Sequence, residues 1–227
     1  MSPALEGLRM RFVSSSFGRG ISSIWTLLVL GMAAAASINA TSSAVHPLTQ
    51  GLRDPEFVEI PIFLLLVFVC IAIHELGHVA AAKMVGWRIR SFTIGPISYL
   101  PEKRRFVVVK RDAFTLISGF VTATPPADAR RGSRDDIFFL LGGCIANFVL
   151  AAMTIPFVGQ LRDNWDSSTV GFALLGSLSI VSATMGIANL IPFAGFKGVR
   201  SDGLRLVEIT TQTFWPTSTQ RRKRRPA

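Results

Sequence analysis

Four long apolar runs limit most strongly how this chain can fold. A helix needs about 20 mostly apolar residues to cross the hydrocarbon core of a bilayer, and each run meets that length. Hydrophobic residues make up 49% of the chain against 17% charged residues, a balance too apolar for a soluble surface. We therefore predict an α-helical polytopic membrane protein with about four transmembrane helices. The expected spans are about Ile21 to Ala40, Ile60 to Val85, Ile137 to Val158 and Val170 to Pro192.

The first run has a second interpretation. Arg9, Arg11 and Arg19 precede an apolar stretch from Ile24 to Ala36 that ends in small residues, which is the pattern of a cleaved secretory signal peptide. The whole run is longer than the usual apolar region of such peptides, and this favours a retained span.

The distribution of basic residues predicts the orientation. Lys and Arg are concentrated before the first span, between spans two and three, and after the last span, whereas the other two loops hold only Arg53 and Arg162 among several acids. Cytoplasmic loops carry the excess of Lys and Arg, so we expect both termini in the cytoplasm. The basic tail at Arg221–Arg225 then suits anionic lipid better than nucleic acid.

The segment between spans two and three has no helical pattern. β-Branched and aromatic residues dominate Trp87 to Thr122, and Gly95-Pro96 and Pro101 interrupt them. Runs of this kind between turn residues are typical of short strands. We predict a small cytoplasmic β-strand region there, with two or three strands.

The second span contains the residues that indicate chemistry. His74, Glu75 and His78 lie in one apolar run, where each polar side chain costs several kcal/mol unless it has a partner. Histidines at i and i+4 share one helix face, so both ring nitrogens can reach one tetrahedral zinc ion with the glutamate beside its open position. This His-Glu-x-x-His order is that of zinc metallopeptidases. The alternative is a pair of core histidines bonded to neighbouring carbonyls and to Glu75.

Zinc in such a site needs a third protein ligand. Asp202 is the acid that follows the fourth span, ahead of a short amphipathic stretch that ends at Ile209. Two histidines and an aspartate would leave one open position for water, as catalysis requires. Asp202 can also be a helix N-cap, with Gly203 easing the turn. If Asp202 is not the ligand, the next candidates are Asp112, Asp128 and Glu208.

Three sequence blocks together resemble the site-2 protease family of intramembrane zinc metalloproteases. They are His74-Glu75-Leu76-Gly77-His78, then Gly142 to Phe148, then Asn189-Leu190-Ile191-Pro192 followed by Asp202-Gly203. Two features depart from the family pattern. Cys144 stands where the family usually has proline, and Phe193 to Ser201 lengthen the third block.

The resemblance implies a role for each matching residue. His74, His78 and Asp202 would bind zinc, Glu75 would be the catalytic base, and Asn147 would help to hold the substrate. For Asn147 the alternative is an interhelical hydrogen bond. The resemblance covers about Ile60 to Ile209. We therefore expect an N-terminal segment, first span and external loop (1–59), an intramembrane metalloprotease core (60–209) and a basic cytoplasmic tail (210–227).

The expected function is zinc-dependent endoproteolysis of membrane-embedded protein substrates near the cytoplasmic face. The expected setting is the lipid bilayer of a bacterial plasma membrane, with no nucleic-acid partner. The alternatives are a non-proteolytic zinc carrier or scaffold and a purely structural four-helix subunit. Glu75 separates them, because a carrier needs ligands that release metal and has no use for a carboxylate between them in this order.

Overall fold

The computed structural model describes residues 16–109, 118–127, 134–161, 170–193 and 200–214 of the chain. The Arg221–Arg225 tail and the alternative ligands Asp112 and Asp128 lie outside these ranges. Within them the protein is mostly helical, as predicted. The α-helices are α1 (Ser16–Thr49), α2 (Glu56–Met84), α3 (Arg134–Thr154), α4 (Val170–Leu190) and α5 (Asp202–Phe214), with short 3-10 helices at Pro101–Lys103 and Ile155–Leu161.

Among the described residues, three helices are long and apolar enough to cross a membrane. The first is α2, the second is α3 together with its continuation to Gly159, and the third is α4. They match the second, third and fourth predicted spans. The first predicted span lies inside α1, which continues past Ala40 to Thr49. A count of four spans therefore stays a prediction.

Helices α2 and α3 cross at glycines, so their backbones touch. A Cβ atom added to Gly142 would lie only 2.7 Å from the carbonyl oxygen of Gly77 and 2.7 Å from the Cβ of Ala81. Membrane helices commonly use small residues for such close approach, because lipid gives no hydrophobic drive for association. The crossing brings the third turn of α3, which contains Gly142 and Gly143, against the part of α2 that contains the two histidines.

Hydroxyl groups join α4 to its neighbours. Ser37 and Thr184 are 2.8 Å apart between their side-chain oxygens, and Thr41 and Ser177 are 3.0 Å apart in the same way. Both pairs connect α1 to α4, and Ser179 donates to the carbonyl of Ala151 on α3 at 2.8 Å. These bonds satisfy polar groups that would be costly inside a membrane.

A four-stranded antiparallel sheet follows α2 directly, in the segment predicted to form two or three strands. Its order is β3-β2-β1-β4. Gly86, with φ of +76°, ends the helix in the left-handed conformation typical of a residue just after a C-terminus. Strand β4 is at one edge and packs against α2. The strands are β1 (Arg88–Ile94), β2 (Ile97–Leu100), β3 (Arg105–Val108) and β4 (Gly119–Thr124).

Candidate metal and catalytic centre

The three predicted ligands meet at one point between α2 and the start of α5. The Nε2 atoms of His74 and His78 are 3.2 Å apart, and Oδ2 of Asp202 lies 3.0 Å from the first and 3.2 Å from the second. In the part of the chain that the structure describes, these side chains form a group that could hold a metal ion. Neighbouring ligand atoms of a tetrahedral zinc ion are about 3.3 Å apart. The triangle therefore has nearly the dimensions of one face of a zinc tetrahedron.

The outer nitrogen of each imidazole has a partner on α3. Nδ1 of His78 donates to the carbonyl oxygen of Phe139 at 2.8 Å, which leaves Nε2 free to bind a metal. Nδ1 of His74 accepts from the Nδ2 of Asn147 at 3.3 Å. Asn147 thus makes the interhelical hydrogen bond that was the alternative to a substrate role.

Asn147 also carries a buried polar atom that fits a metal-bound state. It is fully buried, and its Oδ1 has no hydrogen-bond partner among the described residues. When Nε2 of a histidine binds a metal, its Nδ1 carries the proton and needs an acceptor. A half-turn of the Asn147 amide, which exchanges its oxygen and nitrogen, would offer Oδ1 to the N–H of His74. The donor set and its surroundings therefore fit a metal ion.

Gly143 makes room for the two imidazoles. A Cβ atom at this position would lie 2.5 Å from Nε2 of His74 and 2.6 Å from Nε2 of His78. Contacts this short are not possible, so any side chain at Gly143 would displace the ligand atoms. The two glycines of the middle sequence block have different roles: Gly142 lets the helices touch, and Gly143 leaves space for the two imidazoles.

Asp202 is the first residue of α5 and its carboxylate turns toward the histidines. Burial alone would raise the pKa of this carboxyl group, but the hydrogen bonds and charges of His74 and His78 outweigh burial and hold the pKa well below its ordinary value. An acid in the first helical turn also interacts favourably with the helix dipole. The N-cap is Ser201, whose Oγ accepts from the N–H of Leu204 at 3.1 Å. Asp202 is therefore free to face the site.

Glu75 lies beside the metal-binding group and against the sheet. Only 6% of its surface is exposed. A Cβ atom added to Gly119, the first residue of β4, would lie 2.6 Å from the Cδ of Glu75 and closer still to its Cγ. The start of the edge strand and the carboxylate are thus in direct contact.

The comparison with known proteins agrees with this geometry. Residues 62–164 match the model described as Peptidase family M50. Over this stretch the chain is similar to the site-2 protease family. The match contains His74, Glu75, His78 and Asn147, whereas Asp202 lies beyond it. No curated protein and no solved structure shows a significant match to the chain.

Three contributors to this centre were missed by sequence reasoning. Ser201 had a local signal, because a serine before an amphipathic stretch is a typical helix N-cap. Gly119 and the carbonyl of Phe139 had none, since their contacts depend on the packing of elements distant in sequence. The alternative ligand Glu208 stands apart from the group and pairs with Arg200 at 2.8 Å.

Proposed function

We propose that this protein is a zinc-dependent intramembrane endopeptidase that hydrolyses peptide bonds of membrane-embedded proteins near the cytoplasmic face. The observation that carries the proposal is the meeting of the His74, His78 and Asp202 ligand atoms next to the buried carboxylate of Glu75. The M50 segment supports a membrane metalloprotease, and three helices are suited to a bilayer. We assign the catalytic core to residues 60–209, preceded by 1–59 and followed by the basic tail 210–227.

His74, His78 and Asp202 would hold the zinc ion and leave one position open. When bound, zinc supplies Lewis acidity, which acidifies water and polarises a carbonyl oxygen. Glu75 accepts a proton from the attacking water as its oxygen bonds to the scissile carbon. The same carboxyl group then gives the proton to the leaving amine as the C–N bond breaks. Phe139 and Asn147 orient the two imidazoles through their outer nitrogens.

The edge strand β4 supports a model for how substrate reaches Glu75. A transmembrane helix keeps its peptide groups in intrahelical hydrogen bonds, so a substrate must unwind before it can be cut. In the described sheet β4 pairs with β1 along one side only. An extended peptide added along its other side would gain main-chain hydrogen bonds and, because Gly119 touches Glu75, would lie beside the carboxylate. Asn147 is fully buried, and we assign it to His74 rather than to substrate.

The charge pattern supports a cytoplasmic location for the sheet and for the free side of β4. Lys103 and Arg104, between β2 and β3, and Arg105, the first residue of β3, are all exposed. Because basic loops stay on the cytoplasmic side, we assign the sheet and both chain termini to the cytoplasmic face of a plasma membrane, which we propose is bacterial. Water then reaches the centre from the same side.

The test compares cells that make the wild-type protein with cells that make Glu75→Gln, by mass spectrometry of their membrane and cytoplasmic fractions. Glutamine keeps the size and hydrogen-bonding capacity of the side chain but removes the proton acceptor. Fragments of membrane proteins should disappear in the variant. Glu56→Gln, the same change at an exposed position in the first turn of α2, is the matched control and should leave the fragments unchanged. Identical fragments with Glu75→Gln would instead favour a metal carrier or scaffold.

A further inference from the structure

Two hydrogen bonds join Phe193, shortly after the end of α4, to Ser201, directly before α5. The N–H of Ser201 donates to the carbonyl of Phe193 at 3.1 Å, and the N–H of Phe193 donates to the Oγ of Ser201 at 3.1 Å. These two bonds fasten together the two ends of the stretch that lengthens the third sequence block. They fix the position of Ser201, and therefore the start of α5, relative to Phe193.

The hydroxyl of Ser201 makes two further bonds. It donates to the carbonyl of Ile191, the residue that directly follows α4, at 2.7 Å. It also accepts from the N–H of Leu204 in the first turn of α5 at 3.1 Å. A serine hydroxyl has one donor and two acceptor sites, so all three are used. With 5% of its surface exposed, Ser201 is a buried junction between α4, the returning chain and α5.

Gly203 keeps the two helices in contact on the other side of Asp202. A Cβ atom at this position would overlap the carbonyl group of Leu190, so the start of α5 rests directly on the last turn of α4. Asp202 lies between these two contacts. A metal ligand must stay within about 0.5 Å of its productive position, and both neighbours of Asp202 restrict it in that way.

We infer that Ser201 is a positioning residue that holds Asp202 at the metal site. Its hydroxyl fixes where α5 begins relative to the end of α4, and thereby where the carboxylate meets His74 and His78. The inserted residues can then differ in length without moving the ligand. The inference rests on the proposed metal-binding function. Ser201 would fix the position of the third ligand in that site.

The main experiment measures zinc affinity by competition with a chromogenic chelator for purified wild-type protein and Ser201→Ala in detergent. Loss of a residue that orients a ligand typically weakens metal binding about 10- to 100-fold, and we expect a loss in this range. Ser179→Ala is the matched control. Ser179 is also buried and also donates to a carbonyl, but it lies in the middle of α4 and not at the junction of α4 with α5. It should lower the melting temperature of the metal-free protein while leaving zinc affinity unchanged.

Two further variants apply if Ser201→Ala does not fold. Ser201→Thr retains a hydroxyl that can cap and donate, and it should keep zinc affinity within about twofold of wild type. Replacement of residues 194–199 by Gly-Asn-Gly shortens the insertion with Ser201 in place, and zinc affinity should again be retained. Wild-type affinity in Ser201→Ala, equal weakening in Ser179→Ala, or loss of zinc in the threonine or shortened variant would each overturn the inference. None of these outcomes would contradict the proposed protease function, provided that the wild-type protein itself binds zinc.

Discussion

Gly119 at the start of β4 lies against the side chain of Glu75 in the middle of α2. This contact joins the sheet to the proposed catalytic base without involving any metal ligand. Glycine is required because a Cβ atom would occupy the space of the Glu75 side chain. The proposed metal-binding and proton-transfer functions would therefore depend on different glycines, Gly143 and Gly119, and single substitutions can separate them.

Gly119→Ala should displace Glu75 and lower the rate of substrate cleavage by about 100-fold, since small misplacement of a catalytic group has effects of this size. Zinc content should remain that of wild type, because the atoms nearest to a Cβ at Gly119 all belong to Glu75. Metal analysis and a cleavage assay on the same preparation check both statements. Gly171→Ala, at a helical glycine with open space around it, is the control and should change neither.

Gly143→Ala, in contrast to Gly119→Ala, should lower activity by weakening zinc binding. Its methyl group would meet the Nε2 atoms of both histidines, so zinc affinity should fall at least about tenfold and activity should fall with it. Chelator competition measures the affinity. Full zinc affinity in this variant would mean that the imidazoles can move away from α3 without losing the metal.

Asp202→Ala and Glu75→Gln should differ in zinc retention although both lose activity. Asp202 contributes the one carboxylate of the ligand group, so its removal should release zinc. Glu75 serves the water, so Glu75→Gln should keep zinc while hydrolysis falls about 100- to 10,000-fold. If Asp202→Ala kept both zinc and activity, the third ligand would have to be another acid.

Purified wild-type protein in mild detergent should contain about one zinc ion per chain, and His74→Ala or His78→Ala should abolish this content. Removal of zinc by a chelator should lower the melting temperature, because a ligand that binds only the folded state stabilises it. Elemental analysis and thermal unfolding give the two measurements. His46→Ala, at an exposed histidine of α1, should leave both unchanged.

Cysteine labelling should place the sheet and the α1–α2 loop on opposite sides of the membrane. With a membrane-impermeant thiol reagent, Lys103→Cys should react only after the membrane is permeabilised. Asp54→Cys should react in intact cells. Both positions are exposed, and the two natural cysteines, Cys70 and Cys144, are buried and should stay silent. Reaction of both engineered cysteines from the same side would overturn the orientation.

Sequence reasoning reached the elements whose signals are local. The i, i+4 spacing of His74 and His78 is a property of one helix, and the alternation of apolar residues with turns indicated the sheet after Trp87. The fourth strand and the contact of β4 with Glu75 were not accessible, because they depend on how the sheet packs against α2. In the same way, the sequence indicated Asp202 as an acid near a helix start, but packing decided which way it faces.

The distance in sequence between the metal ligands determines when the centre can form during synthesis. His74 and His78 lie in α2, whereas Asp202 begins the last described helix, 124 residues beyond His78. A nascent chain that has inserted α2 and α3 already contains the glutamate and the imidazoles but lacks the ligand carboxylate. The proposed zinc site therefore cannot be completed before α5 has been synthesised and has docked on α4, so metal loading must follow these steps.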